Sequence, residues 1–258
     1  MSSAYSAPVL ELERVGFTYS PDKKIVDNLT FSAGNGEFIG LLGANGSGKS
    51  TILKLASGIL KPSEGSITLW GKPLQSYRNK DRAKLLSYFP QLLDINVPFR
   101  VRDLVSMGLY PYDIPPRITA DEAMEAVGLK EKAESYITNL SGGERRRAFI
   151  AMTLLQGAGL LLLDEPLANL DIKYQIELLR LLKELKDKKN ISIIMALHDI
   201  NIALRFEKVM LIKGGRILGI GKPVTVLSKE MLKEAFDVSI EIRRSETGGT
   251  YIGNEKNF

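Results

Sequence analysis

The chain has 258 residues, 44% hydrophobic and 25% charged, an ordinary globular composition that suffices for one large core or two small ones. It contains no cysteine, which excludes disulfides, zinc–thiolate sites and thiol nucleophiles and suits a reducing compartment. The net charge of +5 is mild; it suits attraction to an anionic membrane surface but reads first as a solvated basic face.

Residues 1–8 lack both a basic start and an apolar stretch, so no signal peptide is expected there. Loose alternation over 9–19 and 25–31, and the apolar run 36–42, predict strands. The third run ends in Gly43-Ala44-Asn45-Gly46-Ser47-Gly48-Lys49-Ser50, a full match to G-x-x-x-x-G-K-[ST]. Helix-like spacing of Ile52, Leu55, Ala56 and Ile59 follows. Glycines let backbone N–H groups turn inward around a phosphate, and a following helix N-terminus adds positive potential. Lys49 then reaches the terminal phosphates, and the Ser50 hydroxyl suits Mg²⁺. The chain is therefore expected to bind a nucleoside triphosphate.

Strands are predicted again at 65–69 and 85–89. The character changes over 94–157, where 101–109, 120–127 and 144–155 read as helices punctuated by Pro111, Pro115, Pro116 and Gly128. The run Arg145-Arg146-Arg147 lies early in the last of these and has no interleaved aromatic residues of the kind that stack on nucleic acid. Residues 148–163 carry no charge, but the run is shorter than the ~20 residues of a membrane span, and Gly157 and Gly159 split it. It is expected to form a helix end, a turn and a strand at 160–163 covered on both faces. Asp171 is expected to cap a helix with the stripe Ile172, Ile176, Leu179 and Leu182. A buried strand at 191–197, a short helix, a strand pair around Lys213-Gly214-Gly215, a helix at 229–236 and a small polar hairpin complete the chain. Together these elements describe an α/β nucleotide-binding core with a helical insertion between Gln91 and about Ala158.

Polar groups follow four apolar strands: residues 43–50, Gln91, Asp164-Glu165 and His198. In parallel α/β sheets, ligands bind outside the carboxyl ends of the strands, so these groups converge on one edge. Asp164 is placed to hold Mg²⁺ directly or through water, and Glu165 to orient and deprotonate an attacking water. His198 is the only histidine; such a residue is commonly packed or at the surface, but here its ring can also stabilise charge at the γ-phosphate. Leu140-Ser141-Gly142-Gly143-Glu144 opens a helix that Ser141 can cap, and its glycines admit a phosphate close to the backbone. The loop at 43–50 is already a complete cradle, so this second site is expected to close over nucleotide held by another copy of the chain.

At these residues the sequence resembles the ATP-binding cassette (ABC) ATPases over nearly its whole length. Residues 43–50 resemble the Walker A loop, 160–165 the Walker B segment, 140–144 the signature motif, Gln91 the Q-loop glutamine, 168–171 the D-loop and His198 the switch histidine. The resemblance implies one domain with a P-loop NTPase (RecA-like) core at 1–91 and 159–258, an N-terminal antiparallel β subdomain, and a helical subdomain at 92–158. It implies catalysis through Glu165, His198 and Gln91, and Mg²⁺ held by Ser50, Gln91 and Asp164. ATP contacts are implied for Tyr19, which would stack on adenine unless it packs in its strand, and for Gly43, Asn45, Gly46, Ser47, Gly48, Lys49, Ser50 and Thr51. Ser141 and Gly143 would come from the second chain of a head-to-tail homodimer. Two departures stand out: Arg146 where relatives often have glutamine, and Met152 where they often have arginine. They are expected to alter helix packing and salt bridges without touching the catalytic set.

The segment 88–112 resembles ATPase subunits of importers for iron–siderophore complexes, haem and cobalamin, with similar wording in zinc, manganese and molybdate importers. It lies where the family docks a permease, and Phe99, Val101, Leu104, Met107 and Tyr110 are candidates either for that groove or for the subdomain core. The resemblance thus implies a cytoplasmic ATPase, peripheral on the inner face of the cell membrane, that works with permease subunits and, through them, an extracytoplasmic binding protein, with no nucleic acid. Two other classes compete: a soluble cassette acting on ribosomes or DNA, and a P-loop kinase. The first usually has two cassettes or long coiled coils, and the second has no use for residues 140–144.

Overall fold

Strands buried on both faces set the architecture. The computed structural model describes residues 7–20, 23–91, 97–114, 118–168, 170–238, 240–244 and 250–254. It opens with two long antiparallel strands, β1 (Leu10–Ser20) and β2 (Lys23–Ala33). Strand β3 (Phe38–Gly43) leads through the glycine-rich loop into α1 (Lys49–Ser57). Then come β4 (Glu64–Leu69), β5 (Lys72–Pro73), α2 (Asn79–Leu85) and β6 (Leu86–Phe89). The helical stretch contains α3 (Val101–Ser106), α4 (Ala120–Ala126) and α5 (Gly142–Gln156). Alternation resumes with β7 (Leu160–Asp164), α6 (Ile172–Lys189), β8 (Ser192–Leu197) and α7 (Ile200–Ala203). Strands β9 (Lys208–Lys213) and β10 (Arg216–Gly221), helices α8 (Pro223–Val226) and α9 (Lys229–Phe236), and the hairpin β11 (Ile240–Arg244) and β12 (Thr250–Asn254) follow.

One sheet is antiparallel, in the order β2-β1-β4-β5; the other has six strands in the order β10-β9-β3-β8-β7-β6. Within the larger sheet β9, β3, β8, β7 and β6 run parallel and only β10 is antiparallel. Alternating side chains divide the interior in two. Ile39, Leu41, Leu160, Leu162, Ile194, Met210 and Ile212 join the antiparallel sheet and α1 in one core. Their neighbours Phe38, Leu42, Leu161, Leu163, Ile193, Met195, Val209 and Leu211 join α3, α4, α5 and α6 in the other. This matches the expected α/β core with an antiparallel N-terminal layer and an inserted helical part. No helix among the described residues is long and apolar enough to cross a membrane.

Several local expectations change. Asp171 occupies the N-cap position of α6 but makes no side-chain capping bond. The stripe of α6 holds only in part: Leu182 is buried as expected and Ile176 and Leu179 are half-buried, but Leu178 is buried too and Ile172 is 75% exposed. Helix α2 escapes periodicity because none of its residues is buried. Val101 and Leu104 belong to the helical core, as 0% and 1% exposures dictate, and leave Met107 and Tyr110 on the surface at 42% and 77%. Asn169 of the presumed D-loop, Pro115, Pro116 and the start of the 92–158 segment lie outside the described residues.

Candidate active site

The parallel register brings the four polar groups to one edge. Strands β3, β8, β7 and β6 are successive neighbours in the sheet, and each ends at its group: the glycine-rich loop, His198, Asp164-Glu165 and Gln91. The loop turns tightly. Gly48 has φ +105°, a region open to glycine, and a Cβ on Gly43 would lie 2.4 Å from the Ile212 carbonyl oxygen. Lys49 is 4% exposed and donates to the carbonyls of Gly43 (2.8 Å) and Ala44 (3.1 Å). Burial pushes its ammonium below the usual lysine range, against the pull of Glu165 and Asp164. Ser47 Oγ is buried with no hydrogen-bond partner among the described residues, a donor available to a group in the cradle. Asn45 and Gly46 are exposed at the loop tip, and Thr51 is buried beneath it. Tyr19, at the end of β1, is 60% exposed, with its ring edge-on to Phe17 at 4.8 Å.

Asp164 is 1% exposed. It accepts hydrogen bonds from Ser50 Oγ (3.0 Å) and Tyr88 Oη (3.2 Å). Burial raises its pKa above the ordinary aspartate range; the two hydroxyls oppose that rise and the neighbouring Glu165 adds to it. The Tyr88 phenol is pushed up as well, by burial and then by the Asp164 charge. Ser50 and Asp164 together offer hard oxygen ligands of the kind Mg²⁺ prefers.

Glu165 is 7% exposed and holds φ +52°, an unusual conformation for a residue with a side chain. Its carboxylate lies between two donors: Gln91 Nε2 reaches Oε2 at 2.6 Å, and His198 Nε2 reaches Oε1 at 2.5 Å. A pocket of about 160 Å³ lined by Glu165, Ala168, Gln175, His198 and Asp199 opens beside them. Asp199 itself caps α7 by accepting from the backbone N–H groups of Asn201 and Ile202. Ser141 caps α5: its Oγ accepts from the Glu144 N–H at 3.3 Å, while Glu144 accepts from the Ser141 N–H at 3.0 Å. Gly142 beside it has open space where a side chain would stand.

Two residues enter the site without having been expected there. Tyr88 carries no sequence signal beyond its place three residues before Gln91. Arg146 corrects the reading that its substitution leaves the catalytic set untouched. It is 7% exposed, and its guanidinium donates to the backbone carbonyls of Glu165 (2.5 Å) and Ala168 (2.7 Å).

The sequence profile of the ABC transporter family matches residues 26–168, more than half of the chain. The chain belongs to the ABC transporter family. The cassette is 35% identical over 255 residues to the hemin import ATP-binding protein HmuV of Rhodopseudomonas palustris, covering 94% of this chain and 93% of the relative. It is 39% identical over 241 residues to the iron(3+)-hydroxamate import ATP-binding protein FhuC of Bacillus subtilis, covering 90% and 89%. Among solved structures, an inward-facing metal-chelate type ABC transporter matches with a TM-score of 0.79 and 26% identity, over 95% of this chain and 96% of that one. The cassette is thus an ATPase of the ABC type, built on the P-loop NTPase fold.

Proposed function

We propose that this cassette hydrolyses ATP to drive import of a metal chelate, of the iron–siderophore, haem or cobalamin class, through a membrane permease. The observation that carries the hydrolytic part is the Glu165 carboxylate, buried and held between Gln91 and His198 beside the Ser50–Asp164 pair. The import part is supported by full-length similarity to import proteins for hemin and ferric hydroxamate.

In this reading the 43–50 loop and Lys49 bind the triphosphate, with Tyr19 against the adenine. Ser50, Asp164 and Gln91 are the residues that would hold Mg²⁺; because the Gln91 nitrogen donates to Glu165, its amide oxygen is left as the acceptor. When bound, Mg²⁺ neutralises charge on the phosphates. Glu165 takes a proton from the attacking water, and His198 stabilises charge on the transferred group. Ser141 and Gly143 of a second copy complete the nucleotide site, and the resulting closure passes through Gln91 and the helical segment 92–158 to the permease. Exposed Met107 and Tyr110 offer apolar contacts for that docking at the cytoplasmic face of the membrane. An extracytoplasmic binding protein would supply the cargo.

A strain lacking this chain is expected to lose uptake of one metal chelate, and complementation to restore it. Normal uptake of every ferric siderophore, haem and cobalamin tested would refute the cargo class; loss of zinc, manganese or molybdate uptake instead would assign the cassette to the alternative importers.

A further inference from the structure

Arg146 is a charge placed where a neutral side chain would serve for packing. It lies on the second turn of α5, behind Glu165, with its guanidinium carbon 5.5 Å from the centroid of the Phe89 ring. Among the described residues it has no carboxylate partner within ion-pair distance; its fork is directed at backbone. Nη2 donates to the carbonyl of Glu165 at 2.5 Å and lies 3.5 Å from that of Gln91, while Nη1 donates to Ala168 at 2.7 Å. The Ala168 N–H returns to the Glu165 carbonyl at 3.2 Å, so the guanidinium spans both ends of one turn. That turn begins with the residue at φ +52°. A backbone held in a sparsely populated region persists only where its surroundings over-determine it, and a planar fork with fixed donor directions does this better than one point contact. Burial lowers the basicity of Arg146, and the charges of Glu165 and Asp164 counter that effect.

We propose that Arg146 is a positioning residue for ATP hydrolysis, its guanidinium clamping the carbonyls of Glu165 and Ala168 and thereby holding the Glu165 carboxylate between Gln91 and His198. The proposal rests on the reading of Glu165 as the base. It also makes α5, which begins at the Ser141 cap, one rigid piece with the catalytic carboxylate.

The test is ATP hydrolysis by the full chain with Arg146→Met, Arg146→Lys, Glu165→Gln and the double variant Arg146→Met/Glu165→Gln. Arg146→Met is expected to lower kcat by about tenfold or more, equivalent to ~1.4 kcal/mol of barrier, with KM for ATP within about twofold. Arg146→Lys, which reaches one carbonyl at a time, should recover most of that loss, to about threefold below the native kcat. In the Glu165→Gln chain, where no base remains to be positioned, Arg146→Met should change single-turnover hydrolysis by less than about twofold. A native kcat in Arg146→Met overturns the proposal. So does an equal loss in both backgrounds, or a rise in KM that accounts for the effect. If Arg146→Met does not fold, Arg146→Lys decides: lower kcat at unchanged KM supports the clamp, and native kcat overturns it. Near-native turnover in Glu165→Gln removes the reading of Glu165 and the proposal with it. A silent Arg146→Met in a chain that Glu165→Gln stalls overturns the clamp alone.

Discussion

Asp164 is held at a cost. Its carboxylate is almost wholly buried, and two hydroxyls are its hydrogen-bond donors. Because its folded pKa is raised, the native state retains a proton that the unfolded chain has already released, so its contribution to stability is fullest below the ordinary aspartate range and is lost as pH rises through the raised value. Above that raised value the ionised group therefore destabilises the metal-free fold. Asp164→Asn keeps an acceptor for Tyr88 or Ser50 and removes the buried charge. In EDTA the variant is expected to melt above the native chain at pH 8, with the difference closing as pH falls toward 4; assayed separately with Mg²⁺ it is expected to lose ATP hydrolysis. A native chain that melts higher at pH 8 would show that the two hydroxyls, with the attraction of the nearby Lys54 charge, outweigh burial. Single residues were unevenly legible in sequence. Gly43, Lys49, Asp164 and Glu165 were readable because phosphate and metal chemistry demands residue types at fixed spacings. Arg146 was not, because the middle residue of three arginines looks solvated, and its burial depends on β6 and the 165–168 turn, far away in the chain.

At the scale of elements, β3, its loop and α1 form one unit packed against β9. The close approach is at Gly43, where an added Cβ would meet the Ile212 carbonyl oxygen at 2.4 Å and Ser47 Oγ at 2.7 Å. The side-chain hydroxyl could rotate away, but the strand backbone cannot. Gly43→Ala is therefore expected to push the loop off β9, at a cost of about 1–3 kcal/mol, typical of overpacking. For a chain of this size that is roughly 2–4 °C of Tm per kcal/mol. Because Lys49 donates to the Gly43 carbonyl, ATP affinity should fall too, by about tenfold if one charge-assisted hydrogen bond is lost. Calorimetry and nucleotide titration read the two effects separately; an unchanged Tm would mean that the strand yields. The elements themselves were legible in proportion to burial. Strands covered on both faces leave continuous apolar runs, so β3, β7 and β8 were plain. Helix α2 has no fully buried residue and left no period, and α6 was misread only at its start, where exposed Ile172 is as apolar as buried Leu178.

Over the whole molecule, the open question is why one chain carries two phosphate-ready helix starts. The loop at 43–50 has its own lysine, hydroxyl and tightly turned glycines, whereas Ser141 is exposed and Gly142 opens onto free space at the start of α5. Sharing between two chains gives each helix start a role, and it makes a sharp expectation. Ser141→Arg removes the α5 cap, which costs the fold about 1 kcal/mol, and places a long cation where a second chain's nucleotide would dock. In a Glu165→Gln background, which should hold ATP without turnover, the native 141 position is expected to yield dimers by light scattering when ATP is added. The Ser141→Arg chain should remain monomeric, although Lys49 is intact and ATP still binds. Ser141→Thr, which preserves the cap, should dimerise, separating loss of the cap from obstruction of the interface. Dimers of undiminished stability in the arginine variant would leave residues 140–144 without a nucleotide to close on, and each chain would have to complete its site alone.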